Sequence, residues 1–337
     1  MPTGTVTWPA EWWPQRRLWV GWPRLADEWG DCFEPACAEI AAFVEVASGD
    51  VPVRVAVGDG AAEAAARAAL PDRAEILRIP TGDIWLRDTG PVFVLDNGAL
   101  AARVFRFNGW GGKFNMPGDT ETARAIARAE AAEPCTAFNA VLEGGAVESD
   151  GQGAILTTRS CLLNSNRNGW TENDAETWLH KSLSAECIHW IDDGLEGDHT
   201  DGHVDNIARF VAPGHVVCQV ATSRDDPHRD RLREISQTLS NAGLTVSEIP
   251  SPGVVAVPTG QDDILPASHL NYTITNRFVL VPIYDGVCGA EAVAALAPLF
   301  PGRSILGLPA NSLLAGGGGA FHCMTCHVPD TEPEAPS

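Results

Sequence analysis

Five times along the 337-residue chain, a short apolar run is followed by a stretch with apolar residues at helical spacing and then by a second apolar run. VPVRVAV (51–57) reads as a buried strand, AAEAAARAAL as a helix that Asp59 can cap, and EILRIP (75–80) as the returning strand. HVVCQVA (215–221), a helix through RDRLREISQTLSNAG and LTVSEIP (244–250) repeat the order. RFVLVPIYD (277–285), AEAVAALAPLF and SILGLP (304–309) do so again. In the helix after 221, Asp226 and Pro227 read as the cap, Leu232, Ile235 and Leu239 as one apolar face, and Gly243 as the stop. Two looser copies fill the gaps: ALAARVFRFNGW with ETARAIARAEAA and TAFNAVLE, and GAILTTRS with AETWLHKSL and CIHWID.

Strand–helix–strand units of about 30–45 residues have the period of a closed propeller or a stacked array. An ordinary α/β alternation gives the same pattern. The segments after each second strand are polar and glycine-rich: TGDIWLRDTGP, EGGAVE, EGDHTDGHVDN, TGQDDILPASHLNY and AGGGGAFHCMTCH. Loops that leave a scaffold in one direction are where sites are built. If the five exits converge on one axis, their residues meet.

Composition narrows the class. With 45% hydrophobic and 20% charged residues the chain can bury a substantial core. We expect one catalytic domain over 1–329 and a disordered, acidic, Pro-rich tail over 330–337. No apolar run approaches the ~18 residues of a membrane-spanning helix, and the N-terminus lacks the pattern of a secretory signal. A cytoplasmic location with reduced cysteines is therefore expected, and nine cysteines do not suggest a closed disulfide framework. The formal net charge of −21 and the absence of a basic patch argue against nucleic acid as a partner. An acidic field draws in small cations, although a solvated acidic surface has the same composition.

In the first exit, Asp83, Trp85, Arg87 and Asp88 fall within six positions. They suit a surface ion-pair cluster, or a Trp face and carboxylate edge that hold a flat cation. Trp110 in FNGWGGKF suits a second such ring or a core plug. Glu143, after an apolar strand, needs a partner. In DHTDGHVDN, His199, His203 and Asp205 have metal-like spacing without a recognised third ligand. Alternatively, His203 is an acid/base, with Asp205 a fixed anion two residues along a strand. Cys323 follows four glycines that would leave its approach open, and it needs a cation or donor to become a thiolate. Cys37, Cys135, Cys187 and Cys218 read as small buried hydrophobes.

Taken in order, WPAEWWPQRRLWVGWP, IWLRDTGPVFV, FNGWGG, VLEGGAVESDGQGAILTTRSCLLNSNRN, TDGHVDN and GGGAFHCMT cover nearly the whole chain. So arranged, the sequence resembles the agmatine deiminase family of guanidino-group-modifying enzymes. The resemblance implies a five-bladed pseudo-fivefold α/β propeller, the pentein fold, with the active site in its central well. It further implies Cys323 as nucleophile, His203 as acid/base, and Asp88 and Asp205 gripping the guanidinium nitrogens. Glu143 would complete the cage, and Trp85, with Trp110, would line the substrate path. The implied reaction hydrolyses agmatine to N-carbamoylputrescine and ammonia through a Cys323 thiouronium, with no metal or organic cofactor. The implied partner is a small cationic guanidino substrate, and the implied assembly a homo-oligomer.

Relatives usually carry Gln-Gln where this chain has Cys326-His327, Asn is frequent at the place of Ala320, and His199 precedes TDGHVDN. The grip is intact, whereas the residues that read the substrate's tail are not identifiable. Deimination of arginine, peptidyl-arginine or another guanidino compound stays open, as do an amidinotransferase and a non-catalytic binding protein. Cys323-Met-Thr-Cys326-His327 also matches the haem-attachment spacing and half a zinc site. We read the first cysteine as the nucleophile and expect Cys326 either to pack passively or to form a reversible disulfide with it.

Overall fold

The computed structural model describes residues 6–24, 26–255, 264–284 and 288–332. Each predicted pair of strands is present and parallel: Val53–Val57 with Glu75–Arg78, Ala99–Arg106 with Cys135–Val141, Ala154–Thr158 with Cys187–Ile191, His215–Val220 with Thr245–Pro250, and Phe278–Ile283 with Ser304–Pro309. They fall in five separate sheets. Every sheet also carries an antiparallel strand that the apolar pattern did not reveal: Val92–Asp96, Val147–Ser149, Ala208–Ala212, Thr273–Ile274 and Thr325–Pro329. Two- and three-residue strands such as Thr273–Ile274 and Val147–Ser149 are too short to show a period.

The first sheet is larger than predicted. Gln15–Gly21 lies beside Val53–Val57, the helix Phe33–Ala47 connects them, and the C-terminal strand Thr325–Pro329 pairs with Gln15–Gly21 from the other side. Gln15–Gly21 and Thr325–Pro329, far apart in sequence, therefore share one blade, while Val6–Thr7 pairs with Val92–Asp96 in the next.

Strand alternation shows why the blades form a ring and not an open stack. Side chains on the two faces of a strand enter different cores. Leu18 and Val20 join one apolar cluster and Trp19 another; Val216 and Cys218 face one way and Val217 the other. Four clusters fill the seams between successive blades. The fifth joins Leu280 of the last blade to Val53 and Val55 of the first, closing the pseudo-fivefold α/β propeller.

Local details meet expectation at one place and depart from it at others. Asp59 caps its helix, accepting from the backbone N–H groups of Ala61 and Ala62. Asp226 instead closes a turn onto His228 N–H at 2.8 Å, and the helix begins at Arg229. Cys187 is exposed and Cys135 half-exposed because both open edge strands, whereas Cys37 and Cys218 are buried. The tail begins anchored: Asp330 N–H donates to Pro14 O and its carbonyl accepts from Trp13 Nε1. Residues 333–337 and the 259–263 part of the fourth exit lie outside the described residues. No helix among the described residues is long and apolar enough to cross a membrane.

Candidate active site

The exits meet. Asp88 lies in the helical turn Leu86–Thr89, which turns Arg87 the opposite way, toward Glu11 (3.4 Å) and His327 Nδ1 (3.2 Å). The first-exit cluster is thus split, and Asp88 is buried. Its Oδ2 accepts from Trp110 Nε1 at 2.9 Å and its Oδ1 from Gly145 N–H at 3.0 Å. Trp110 holds φ 52°, ψ 51°, a left-handed backbone uncommon for so bulky a residue. It is both core plug and cavity wall.

His203 and Asp205 do not share a strand. His203 precedes the 3-10 turn Val204–Asn206, and its N–H donates to Thr200 Oγ1, whose hydroxyl donates to Asp198. His203 Nδ1 stands 3.7 Å from Asp88 Oδ1. Asp205 Oδ2 accepts from His322 Nδ1 at 2.7 Å and lies 3.6 Å from Cys323 Sγ. Both His203 ring nitrogens and Asp205 Oδ1 are buried without a hydrogen-bond partner. Buried polar atoms are normally paired, so these three are free to bond a group that enters the site.

Cys323 sits just ahead of the strand that closes the ring. Asn271, from the fourth exit, donates Nδ2–H to its Sγ at 3.0 Å and accepts its backbone N–H on Oδ1 at 3.2 Å. Asn206 Oδ1 fixes the Asn271 amide at 2.9 Å. Below this layer, Glu11 Oε2 accepts from His322 Nε2 (2.7 Å) and Arg209 (2.9 Å), and Arg209 also bonds the carbonyls of Leu270 and Tyr272. This buried ion network runs through the propeller axis and holds Asp205 from behind.

Burial, with Asp205 and Asp88 adding to it, pushes the Cys323 thiol well above its usual pKa, while the Asn271 donor pulls the other way. Burial alone would lower His203, but the Asp88 carboxylate, Cys161 and Asp205 outweigh it and hold the imidazole well above 6.5. Burial raises Asp88, with His203 opposing. For Asp205, burial is overcome by His322, and its carboxyl stays below the usual range.

A cavity of about 880 Å³ leads to this cluster, with Asp88, Asn206 and Cys323 in its wall. His203, Asp205 and Glu143 stand behind that wall. Trp85 stacks on Trp29 with centroids 6.0 Å apart and lies against the glycine run. A Cβ on Gly319 would be 2.7 Å from the Trp85 ring, so the glycines admit the tryptophan rather than leave the approach empty. Glu143 finds its partner in Arg167, Oε1 to Nε at 2.6 Å. His199 is exposed at the mouth, apart from buried His203, so the two do not form a metal pair.

The C-x-x-C-H segment separates into different compartments. Cys323 belongs to the core cluster shared by the last and first blades, and Cys326 to the neighbouring one, with its Sγ donating to Pro91 O at 3.4 Å. Side chains alternate along Thr325–Pro329, so His327 faces away from Cys326 toward Arg87. Burial and that guanidinium lower His327 to about 3. A disulfide, a haem tether or a zinc site here would require repacking two cores.

Sequence reasoning did not find Asn271, Glu11 or Arg209, nor the bridging place of His322 between Asp205 and Glu11. Asn271 lay in a quoted exit and Glu11 in a quoted motif, so their positions were visible and their partners were not.

The profile of the Porphyromonas-type peptidyl-arginine deiminase family matches residues 7–329. The agmatine deiminase of Stutzerimonas stutzeri strain A1501 is 35% identical over 350 residues, 95% of each chain. Among solved structures, the agmatine deiminase of Enterococcus faecalis superposes with a TM-score of 0.91 at 29% identity, covering 97% of this chain and 96% of that one. A putative arginine deiminase from Porphyromonas gingivalis gives 0.86 at 31% identity, covering 97% and 99%. The converging exits and these full-length matches have one reading: the chain belongs to the agmatine deiminase family, the group matched by the Porphyromonas-type peptidyl-arginine deiminase profile.

Proposed function

We propose that the protein hydrolyses agmatine to N-carbamoylputrescine and ammonia, with Cys323 as nucleophile. The observation that carries this reading is the Cys323 thiol, 3.6 Å from the carboxylate of Asp205 and 3.0 Å from the donor Asn271, beside His203 nitrogens and an Asp205 oxygen that have no partner.

A guanidinium between Asp88 and Asp205 satisfies the unpartnered Asp205 Oδ1, takes a further charge-assisted bond to Asp88 and sets its carbon against sulfur. Burial raises the thiol and the two carboxylates add to it; the same cation offsets the carboxylates, which favours loss of the thiol proton to solvent on substrate binding. The thiolate attacks the guanidinium carbon. His203, whose imidazole Asp88 and Cys161 raise against the effect of burial, protonates one terminal nitrogen, which leaves as ammonia. Water then attacks the thiouronium, gives a proton to His203, and the C–S bond breaks to free Cys323 and the ureido product.

The tail of the substrate is read by the outer cavity. Glu28, Asp83, Glu196 and Asp198 line it, and Lys113 is already held by Asp201 (2.6 Å) and the His199 carbonyl (2.7 Å). Such a wall suits an amine and leaves the carboxylate of arginine without a cationic partner.

The test is ammonia release from agmatine and from arginine, by wild type and Cys323→Ser. Release from agmatine, abolished in the variant and at least about tenfold slower from arginine, is the expected result, one lost charge contact being about 1.4 kcal/mol or more. Preference for arginine refutes the amine-reading wall. Turnover by Cys323→Ser refutes the nucleophile.

A further inference from the structure

Behind His203 lies a second cluster that the deimination steps do not use in full. Cys161, in the turn Arg159–Leu162, joins Glu143 and His203, and the three offer a sulfur, an oxygen and a nitrogen within 4.8 Å of one another. All three side chains are buried, and neither His203 nitrogen has a hydrogen-bond partner. We infer that Glu143, Cys161 and His203 form an inhibitory site for a thiophilic divalent cation of the zinc type, which switches the enzyme off by occupying the lone pair of His203. The inference rests on the acid/base role of His203 proposed above.

The donor set fits that ion. One thiolate, one imidazole and one carboxylate are ligands zinc accepts, whereas calcium and magnesium favour oxygen alone. Zinc–sulfur and zinc–nitrogen bonds of about 2.3 and 2.1 Å place tetrahedral ligands about 3.5 Å apart. The observed spread then requires about 1 Å of side-chain adjustment. The Arg167 guanidinium beside Glu143 does not close the site to a cation. It bonds Glu143 through Oε1 and is shared with Asp201 Oδ2 at 2.6 Å, Asn166 Oδ1 at 2.7 Å and the Thr200 carbonyl. Asp88 and Asp205 add negative charge nearby, each within 3.0 Å of a Cβ built on Gly145 that would also touch His203 Nδ1. The substrate cavity reaches Asp88, 3.7 Å from His203, which gives the ion a way in. Binding displaces to solvent the Cys161 thiol proton and any proton on the His203 nitrogen that takes the ion.

Cobalt(II), which replaces zinc and gives a sulfur-to-metal charge-transfer band, tests the site without turnover. The background is Cys187→Ser, because exposed Cys187 lies 3.7 Å from His189 Nε2 and would give a band of its own. We expect the band in this background and in its Cys323→Ser derivative, and its loss in the Cys161→Ser and Cys161→Ala derivatives. In parallel, zinc should inhibit ammonia release at least about tenfold more weakly after Cys161→Ser, the scale expected for loss of a supporting contact in a metal site. A band lost with Cys323→Ser, a band kept with both Cys161 variants, or unchanged zinc inhibition overturns the proposal. If no guanidine is turned over, the band still reports on the metal site, so the two readings fail separately.

Discussion

Gly145→Ala is the sharpest test of how the cluster is held. The Gly145 backbone is not in the left-handed region, so alanine costs nothing in conformation there. The cost is steric. The new Cβ would stand 2.6 Å from His203 Nδ1 and 3.0 Å from both Asp205 Oδ2 and Asp88 Oδ1, where ordinary contact begins at 3.4 Å. His203 must therefore retreat by about 0.8 Å or the backbone must move, and each neighbour is buried and tethered, Asp205 by His322 and Asp88 by Trp110. Overpacking of this kind costs about 1–3 kcal/mol in stability. A catalytic group displaced by about 1 Å loses about a hundredfold in rate. The assay is kcat for ammonia release together with thermal unfolding. Gly60→Ala is the control, because its Cβ would meet the side-chain end of Arg78. We expect Gly145→Ala to lose about a hundredfold in kcat and to stay folded at room temperature. A kcat within about threefold of wild type would show that the three groups tolerate displacement and would refute the rigid-cluster argument.

Two further substitutions probe the layers on either side. Asn271→Ala removes the donor to Cys323 Sγ, a bond to a developing charge worth about 1.5–3 kcal/mol. The thiol should titrate higher still and its alkylation by iodoacetamide should slow, with kcat falling about ten- to hundredfold; an unchanged alkylation profile against pH would count against Asn271. Glu11→Ala leaves Arg209 and His322 buried without their shared carboxylate and should destabilise the fold by about 3–5 kcal/mol in chemical denaturation. Burial would raise the Glu11 carboxyl, but His322, Arg209 and Arg87 hold it well below 4.5. Its contribution is therefore fully present above pH 4.5 and lost as pH falls through the lower folded value, so wild type and Glu11→Gln should converge in stability toward acid pH. A gap that stays constant with pH would refute the linkage.

Which parts of this were legible follows from range. A helix cap such as Asp59 or an apolar face such as Leu232, Ile235 and Leu239 is set by neighbours a few residues away, and both appear where expected. The five parallel pairs were visible because each unit repeats its own order. His203, Asp205, Asp88 and Cys323 were singled out as candidates because they stand in the exits from those pairs and in the motifs that carry the family resemblance, and the structure brings them to one cluster. The antiparallel strands were not visible, because a segment like Thr273–Ile274 becomes a strand only through its partner, Val279 and Leu280. Asp226 misled because an aspartate three residues before a helix start can close a turn as readily as cap the helix.

The sequence by itself determined the units, their order and the chemical character of each exit, since these depend on alternation and local hydrogen bonding. Only the tertiary structure decided which residues become partners. The C-terminal strand adds to Gln15–Gly21, the last seam closes the ring, and Cys323 is carried to Asn271 and Asp205. Charges behave likewise. Asp88 and Asp205 are both carboxylates in the sequence, and burial would raise both, yet His322 overcomes it at Asp205, whose carboxyl is lowered, while Asp88 stays raised. The separate fates of Cys323, Cys326 and His327 have the same cause: Cys323 stands just ahead of the strand Thr325–Pro329, Cys326 and His327 alternate along it, and each enters an environment that only the packing of neighbouring blades supplies.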